Sequence, residues 1–298
     1  MRRPLFSVFL LAGLALFAAA CGGDSGTNGG QPTPDASSQI IPIPANSELV
    51  VGPNRFALGL VDGENNQILE DAGTKVHLSF SYEDQLKYEQ DAGFVWAIPD
   101  VRGLFVATVD FGHAGQWTAE ATLTRDGAET AVTFTFTVLD EGVAPNIGGA
   151  APPSRNLTLK GTPDIKRIST DQDPEPGLYA MTVAQALEEG KPLVVIFATP
   201  AFCQTAFCGP MLNNVKEVRQ EFVQGVNFIH IEPFVLDSEG GLVTDDTGTP
   251  AVAEATTEWQ LQTEPWTFIV DAEGRIAARF EGVASAEELR DAIQQTLG

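Results

Sequence analysis

The hydrophobic periodicity changes once along the chain, and that change limits the fold more than any other feature. Between Glu48 and Leu139 apolar residues recur at every second position, as in Lys75-Val76-His77-Leu78-Ser79-Phe80 and Ala131-Val132-Thr133-Phe134-Thr135-Phe136-Thr137-Val138. A period of two describes strands that bury one face. Turn signals at Asp62-Gly63, Ala72-Gly73, Ala114-Gly115 and Asp126-Gly127 separate the runs, and Asp-Gly between alternating runs marks a hairpin. Beyond Tyr179 the pattern becomes helical spacing interleaved with continuous apolar runs such as Pro192 to Ala198. Such runs suit strands covered on both faces. Two periodicities in 298 residues predict two domains.

The first, residues 47–140, is expected to be an all-β antiparallel, immunoglobulin-like sandwich of about seven short strands. It lacks the Cys…Trp…Cys hallmark, and its His77 and His113 are isolated, which reads as structural or solvent-exposed. Residues 141–177 carry Pro145, Pro152, Pro153, Pro163, Pro174 and Pro176 and read as an extended Pro-rich linker. The second domain, residues 178–298, is α/β with the order α-β-α-β-α-β-β-α. Capping boxes at Thr182…Gln185 and Ser285…Glu288 open its first and last helices.

The N-terminus reads as an address. Met1-Arg2-Arg3 precedes an apolar stretch from Leu5 to Ala20 that is shorter than a membrane span. It ends in Ala18-Ala19-Ala20-Cys21, which resembles a bacterial lipobox. The expectation is a lipoprotein signal peptide at 1–20, lipidation at Cys21 and a flexible tether at 21–46. The chain would then sit on the extracytoplasmic face of a bacterial cell membrane, lipid-anchored rather than spanning. An ordinary secretory signal is the alternative.

Composition narrows the function. Lys and Arg number 17 against 40 Asp and Glu, a net charge of −23. That excludes a general nucleic-acid binder and disfavours electrostatic adhesion to anionic lipid. Three cysteines and three histidines exclude a disulfide-dense scaffold and a Cys-rich zinc module. Setting Cys21 aside leaves Cys203 and Cys208, a candidate redox pair for an oxidising compartment.

Residues Tyr179 to Gly298 resemble the thioredoxin fold. Leu193-Val194-Val195-Ile196-Phe197-Ala198 runs into a Cys pair at the next helix, Glu264-Pro265-Trp266-Thr267-Phe268-Ile269-Val270-Asp271 is similar to the family's cis-Pro loop and following strand, and a turn at Asp271-Ala272-Glu273-Gly274 precedes Phe280-Glu281-Gly282. The resemblance implies a cis peptide at Pro265 beside the redox site, and thiol–disulfide exchange with protein thiols and disulfides as partners. The chain departs from the family at the site: Gln204-Thr205-Ala206-Phe207 puts four residues between the cysteines, where thioredoxins have two. Cys208-Gly209-Pro210-Met211 resembles the family's Cys-Gly-Pro-Cys with Met in the last place. No cofactor is implied. The Leu261 to Pro265 segment has no His, so copper binding has weak support, and nothing in the sequence bears on oligomeric state.

Within one regular helix a five-residue offset would point the two sulfurs about 140° apart, too far for a disulfide. The helix is therefore expected to start near Pro210, with Cys203 to Cys208 as a loop leading into it. A helix N-terminus favours thiolate. By chain order Cys203 is the attacking thiol and Cys208 the resolving one; reading Cys208-Gly209-Pro210 as the thioredoxin motif reverses the roles. A static disulfide, or a metal site including His230, are the competing readings. Glu232 is either a proton acceptor for the buried thiol or a solvent-facing strand-end carboxylate.

Overall fold

The computed structural model describes residues 40–63, 67–68 and 72–298. The expected signal peptide, Cys21 and the tether up to residue 39 lie outside the described residues. No helix among the described residues is long and apolar enough to cross a membrane.

Eight strands form the N-terminal part: β1 (Ile40–Pro44), β2 (Gly52–Asp62), β3 (Gln67–Ile68), β4 (Lys75–Tyr82), β5 (Gln85–Ile98), β6 (Arg102–Phe111), β7 (Gly115–Arg125) and β8 (Ala128–Val138). Their order is β1-β2-β6-β5-β4-β7-β8, with β3 on β2 and every pair antiparallel. β5 joins two halves. Its residues 85–92 pair with β4, and residues 93–98 turn to pair with β6. The layer thus folds over and buries Phe56, Leu58, Leu60, Leu78, Phe80, Phe105, Phe111 and Trp117 between its halves. The neighbour order matches the immunoglobulin sandwich, with one strand shared between the sheets.

Four features differ from expectation. β5 breaks the alternating pattern, because its first half is polar and exposed, and no turn signal marks its start, because the preceding two-residue turn uses Glu83 and Asp84 at positive φ without a glycine. β2 lacks clean alternation because its outer residues are covered too: Arg55 pairs with Glu288, and Ala57 is buried. β1 lies in the segment expected as tether. Its two prolines sit on an edge strand, where a missing donor is tolerated. Glu48 to Val51, where the alternating region begins, forms no strand and makes a parallel bridge, Val50 to Leu139.

The C-terminal part follows the expected order: α1 (Val183–Glu188), β9 (Leu193–Phe197), α2 (Cys208–Phe222), β10 (Asn227–Ile231), α3 (Glu254–Glu258), β11 (Trp266–Val270), β12 (Ile276–Glu281) and α4 (Ala286–Leu297). The sheet runs β10-β9-β11-β12, with β10 parallel to β9 and β11 antiparallel to both its neighbours. Both capping boxes form. Both faces are covered, which explains the unbroken apolar run of β9: Val194 and Ile196 pack with α2 and α4, while Leu193, Val195 and Phe197 pack with α1 and α3.

Residues 141–177 are docked rather than extended away from the domain. Gly148 N–H donates to Ile276 O at 2.8 Å and Ile276 N–H to Gly149 O at 2.9 Å, which covers the open edge of β12. Ala144, Ala151 and Ile168 are buried in the C-terminal cores.

Two ion pairs tie the parts together. Arg55 meets Glu288 at 2.6 Å. Glu48 and Arg279 meet at 2.8 Å, each side chain 8% exposed. Glu48 also accepts from Val143 N–H at 2.8 Å. Removing one member of so buried a pair strands the other charge. Glu48→Ala is therefore expected to cost about 3–5 kcal/mol, and Glu48→Ala/Arg279→Ala less than the sum of the single changes; denaturant unfolding of the four proteins measures this, and strict additivity would contradict it.

Candidate redox site

β9 delivers the chain to the site, and α2 ends it. The helix begins at Cys208, two residues before the expected start at Pro210, so Cys203 lies outside the helix and Cys208 at its first position. Pro210 still falls in the first turn, where a missing N–H leaves nothing unpaired. The N-cap residue, Phe207, offers no side-chain acceptor to the helix. The sulfur of Cys203 takes that place: Cys208 N–H donates to Cys203 Sγ at 3.3 Å. Thr205 Oγ1 lies 3.3 Å from the same sulfur and accepts from Phe207 N–H at 3.4 Å.

Both cysteines are free thiols, and their environments differ. Cys208 is fully buried, while Cys203 is partly exposed. A hydrogen bond from the Cys208 thiol, helped by the Thr205 hydroxyl and the Cys208 and Phe207 N–H groups, outweighs burial and brings Cys203 down to about 5. The same bond holds the proton of Cys208, and with burial pushes that thiol far up. Hydrogen bonds that favour one charged form and burial that disfavours the other are the usual causes of such a split.

The Glu264–Pro265 peptide is cis. Its loop borders the cysteines: the Glu264 carboxyl is raised by burial and by the charge of Cys203. Glu264 also lines a cleft of about 230 Å³ with Thr205 and Phe207, whose opposite wall comes from the sandwich, Pro44 to Ser47, Ala57 and Leu104. Cys203, Cys208 and the Pro265 loop are thus brought together.

Glu232 is not solvent-facing. It is 5% exposed, and its Oε2 accepts from Thr170 N–H at 2.9 Å and Thr170 Oγ1 at 3.0 Å. Burial raises it to about 7, with the Thr199 and Thr170 donors opposing. The backbone of Thr199 in turn hydrogen-bonds Cys208. His230 is a satisfied core residue: Nε2 lies 2.9 Å from Ala198 O, Nδ1 lies 2.9 Å from Tyr179 OH, and burial lowers it to about 4. His77 pairs with Asp91 at the surface and His113 stacks on Tyr82. Sequence reasoning missed Thr205 as a sulfur ligand and Arg102, whose Nη1 donates to Thr205 O at 3.2 Å; a lone Arg one hundred residues upstream carries no local signal.

Two outcomes follow. Alkylation of reduced protein should stay fast down to about pH 5, because the thiolate persists above its pKa, whereas an ordinary thiol slows below about 8.5. Cys208→Ala removes the principal donor and should move the midpoint upward; an unmoved midpoint contradicts the assignment. For Glu232 the folded pKa of about 7 exceeds the unfolded value of 4.5, so folding favours the protonated acid, and stability falls as pH rises between those values. Glu232→Gln should thus match the native Tm near pH 4 and exceed it above pH 7 by roughly 2–6 °C, measured by thermal unfolding across pH.

Residues 179–297 match the family model described as a thioredoxin-like domain. Among solved structures, a thioredoxin-family thiol:disulfide interchange protein from Chlorobium tepidum TLS is 16% identical; the match covers 43% of this chain and 100% of that one, with a TM-score of 0.30. No curated protein matches the chain. By the family match and by its strand and helix order, the C-terminal part of the chain is a thioredoxin-like domain.

Proposed function

We propose that the chain is a membrane-anchored, extracytoplasmic thiol–disulfide oxidoreductase that exchanges disulfides with protein partners through Cys203 and Cys208. One observation carries the reading: the partly exposed Cys203 sulfur sits at a helix start, accepting from Cys208 N–H with the Thr205 hydroxyl beside it and the buried Cys208 thiol behind it, a setting that lowers the first thiol and raises the second. The thiolate of Cys203 attacks one sulfur of a partner disulfide. The partner's S–S bond breaks, a mixed disulfide forms, and the second partner sulfur leaves as thiolate and takes up a proton. Cys208 then gives up its proton and attacks Cys203 Sγ, releasing the first partner sulfur as a thiol. Two electrons and the one proton of Cys208 pass to the partner, solvent supplies the second proton, and a Cys203–Cys208 disulfide remains; the reverse sequence oxidises a partner dithiol. Only Cys203 is reachable from outside, which supports it as the attacking group. The cis Pro265 loop forms the adjoining rim of the site. Lipidation at Cys21 and a tether would hold the domains at the membrane surface.

The reduction potential of the pair tests this in the full chain without residues 1–20 and with Cys21→Ser, equilibrated in graded thiol buffers, alkylated and weighed. A value between about −120 and −270 mV, the span of known exchange proteins, is expected. A bond still resisting reduction below about −300 mV would make the domain a scaffold with a structural disulfide and sink the proposal.

A further inference from the structure

The loop between the cysteines is held from outside its own domain. Strand β6 turns Phe105 and Ala107 into the sandwich core and leaves Arg102, Leu104 and Val106 on the opposite face. That face docks at the redox site. Leu104, with Ala97 from β5, belongs to the same buried cluster as Cys208 and Met211, and Val106, Cys203 and Phe207 pack against that cluster. Arg102 reaches the loop itself: Nη1 donates to Thr205 O at 3.2 Å, and the guanidinium lies 5.4 Å from the centre of the Phe207 ring. These two anchors flank Ala206, which adopts a φ of 62°. A non-glycine residue keeps such a backbone only where its surroundings enforce it. Thr205 is also the residue whose hydroxyl meets Cys203 Sγ and accepts from Phe207 N–H.

We propose that Arg102 is a positioning residue for the redox pair: by clamping Thr205 O and the Phe207 ring, the sandwich sets the loop so that its donors converge on Cys203 Sγ. The inference rests on the proposed exchange function for its meaning, and the sandwich becomes a working part of the redox centre rather than a spacer. A planar fork that bonds a carbonyl while stacking on a ring is a task for Arg that Lys does not match.

The test uses the reduced protein comprising the sandwich and the thioredoxin-like domain together, and reads the pH dependence of Cys203 alkylation in Cys208-intact protein alongside the potential of the pair. Arg102→Ala is expected to move the alkylation midpoint upward by about one pH unit, a tenfold loss of thiolate well below the midpoint. Arg102→Lys, which keeps the charge, should recover less than half of that change. Arg55→Ala, which breaks the ion pair with Glu288 between the same two parts, should lower the Tm yet leave the alkylation profile in place. An Arg102→Ala profile that overlays the native one overturns the proposal. Full recovery by Lys, or an equal change in Arg55→Ala, does so too, since charge alone or mere docking would then suffice. Should Arg102→Ala fail to fold, Arg102→Lys against the native protein decides, and identical profiles overturn the inference. The alkylation profile is read on free thiols, so it judges Arg102 even if the potential shows that the pair exchanges with no partner.

Discussion

The unpaired N–H groups at the start of α2 are the constraint around which the candidate redox site is arranged. A helix leaves its first N–H groups without partners inside the helix, and here no side chain at the N-cap answers them. The sulfur of Cys203 does so instead. That requires Cys203 to stand before the helix and Cys208 to begin it, with enough chain between them for Cys203 to fold back on the helix start. Four intervening residues provide that reach. With this spacing one cysteine caps the helix that carries the other. The asymmetry follows from the same geometry, because the capping sulfur collects several donors and the capped one is buried beneath it.

The sandwich bears on this arrangement through its outer faces. Strands β2 and β6 are covered on both sides, inward by the aromatic core and outward by the thioredoxin-like domain. A chain that only displayed its thioredoxin-like domain on a stalk would have no reason to bury Ala57 and Leu104 or to desolvate the Glu48–Arg279 pair. Burying that pair is costly unless its remaining hydrogen bonds are met; Val143 N–H meets Glu48, and Ala144 O and Pro145 O lie within 3.5 Å of Arg279. The Pro-rich segment supplies those groups while it covers the edge of β12. Segment, sandwich and thioredoxin-like domain thus share one set of buried contacts.

Much of the fold was legible because the C-terminal elements carry their own signals. The two capping boxes, the apolar run of β9 and the Asp271-Ala272-Glu273-Gly274 turn each report a local fact that tertiary packing reinforces. What escaped was written in no local pattern. β5 is polar over the half that forms a sheet edge, and its turn uses two acidic residues at positive φ. β2 lost its alternation to a second covering layer. At the site, the cysteines and Pro265 could be read from the resemblance, but Arg102 matters only through a contact made across about a hundred residues, and the Thr205 hydroxyl only through the way the loop folds back on Cys203. For Glu232 the strand end alone leaves both readings open, because it does not reveal that Thr170 folds over it.

The way the thiolate is stabilised bears on the direction of exchange. The groups that lower Cys203 are neutral donors at hydrogen-bond range, and the Glu264 carboxyl opposes the charge. Stabilisation by short contacts depends little on salt, unlike the field of distant charges in a chain of net charge −23. It also vanishes on oxidation, since a disulfide sulfur bears no charge for those donors to meet. Stabilising the reduced form alone raises the reduction potential, the logic by which a low thiol pKa makes a strong oxidant. A low pKa further makes Cys203 the better leaving group when a partner thiolate attacks the mixed disulfide. Within the proposed exchange, the helix-capping geometry therefore biases the pair toward giving its disulfide away, and Glu264, by working against the thiolate, limits how far that bias goes.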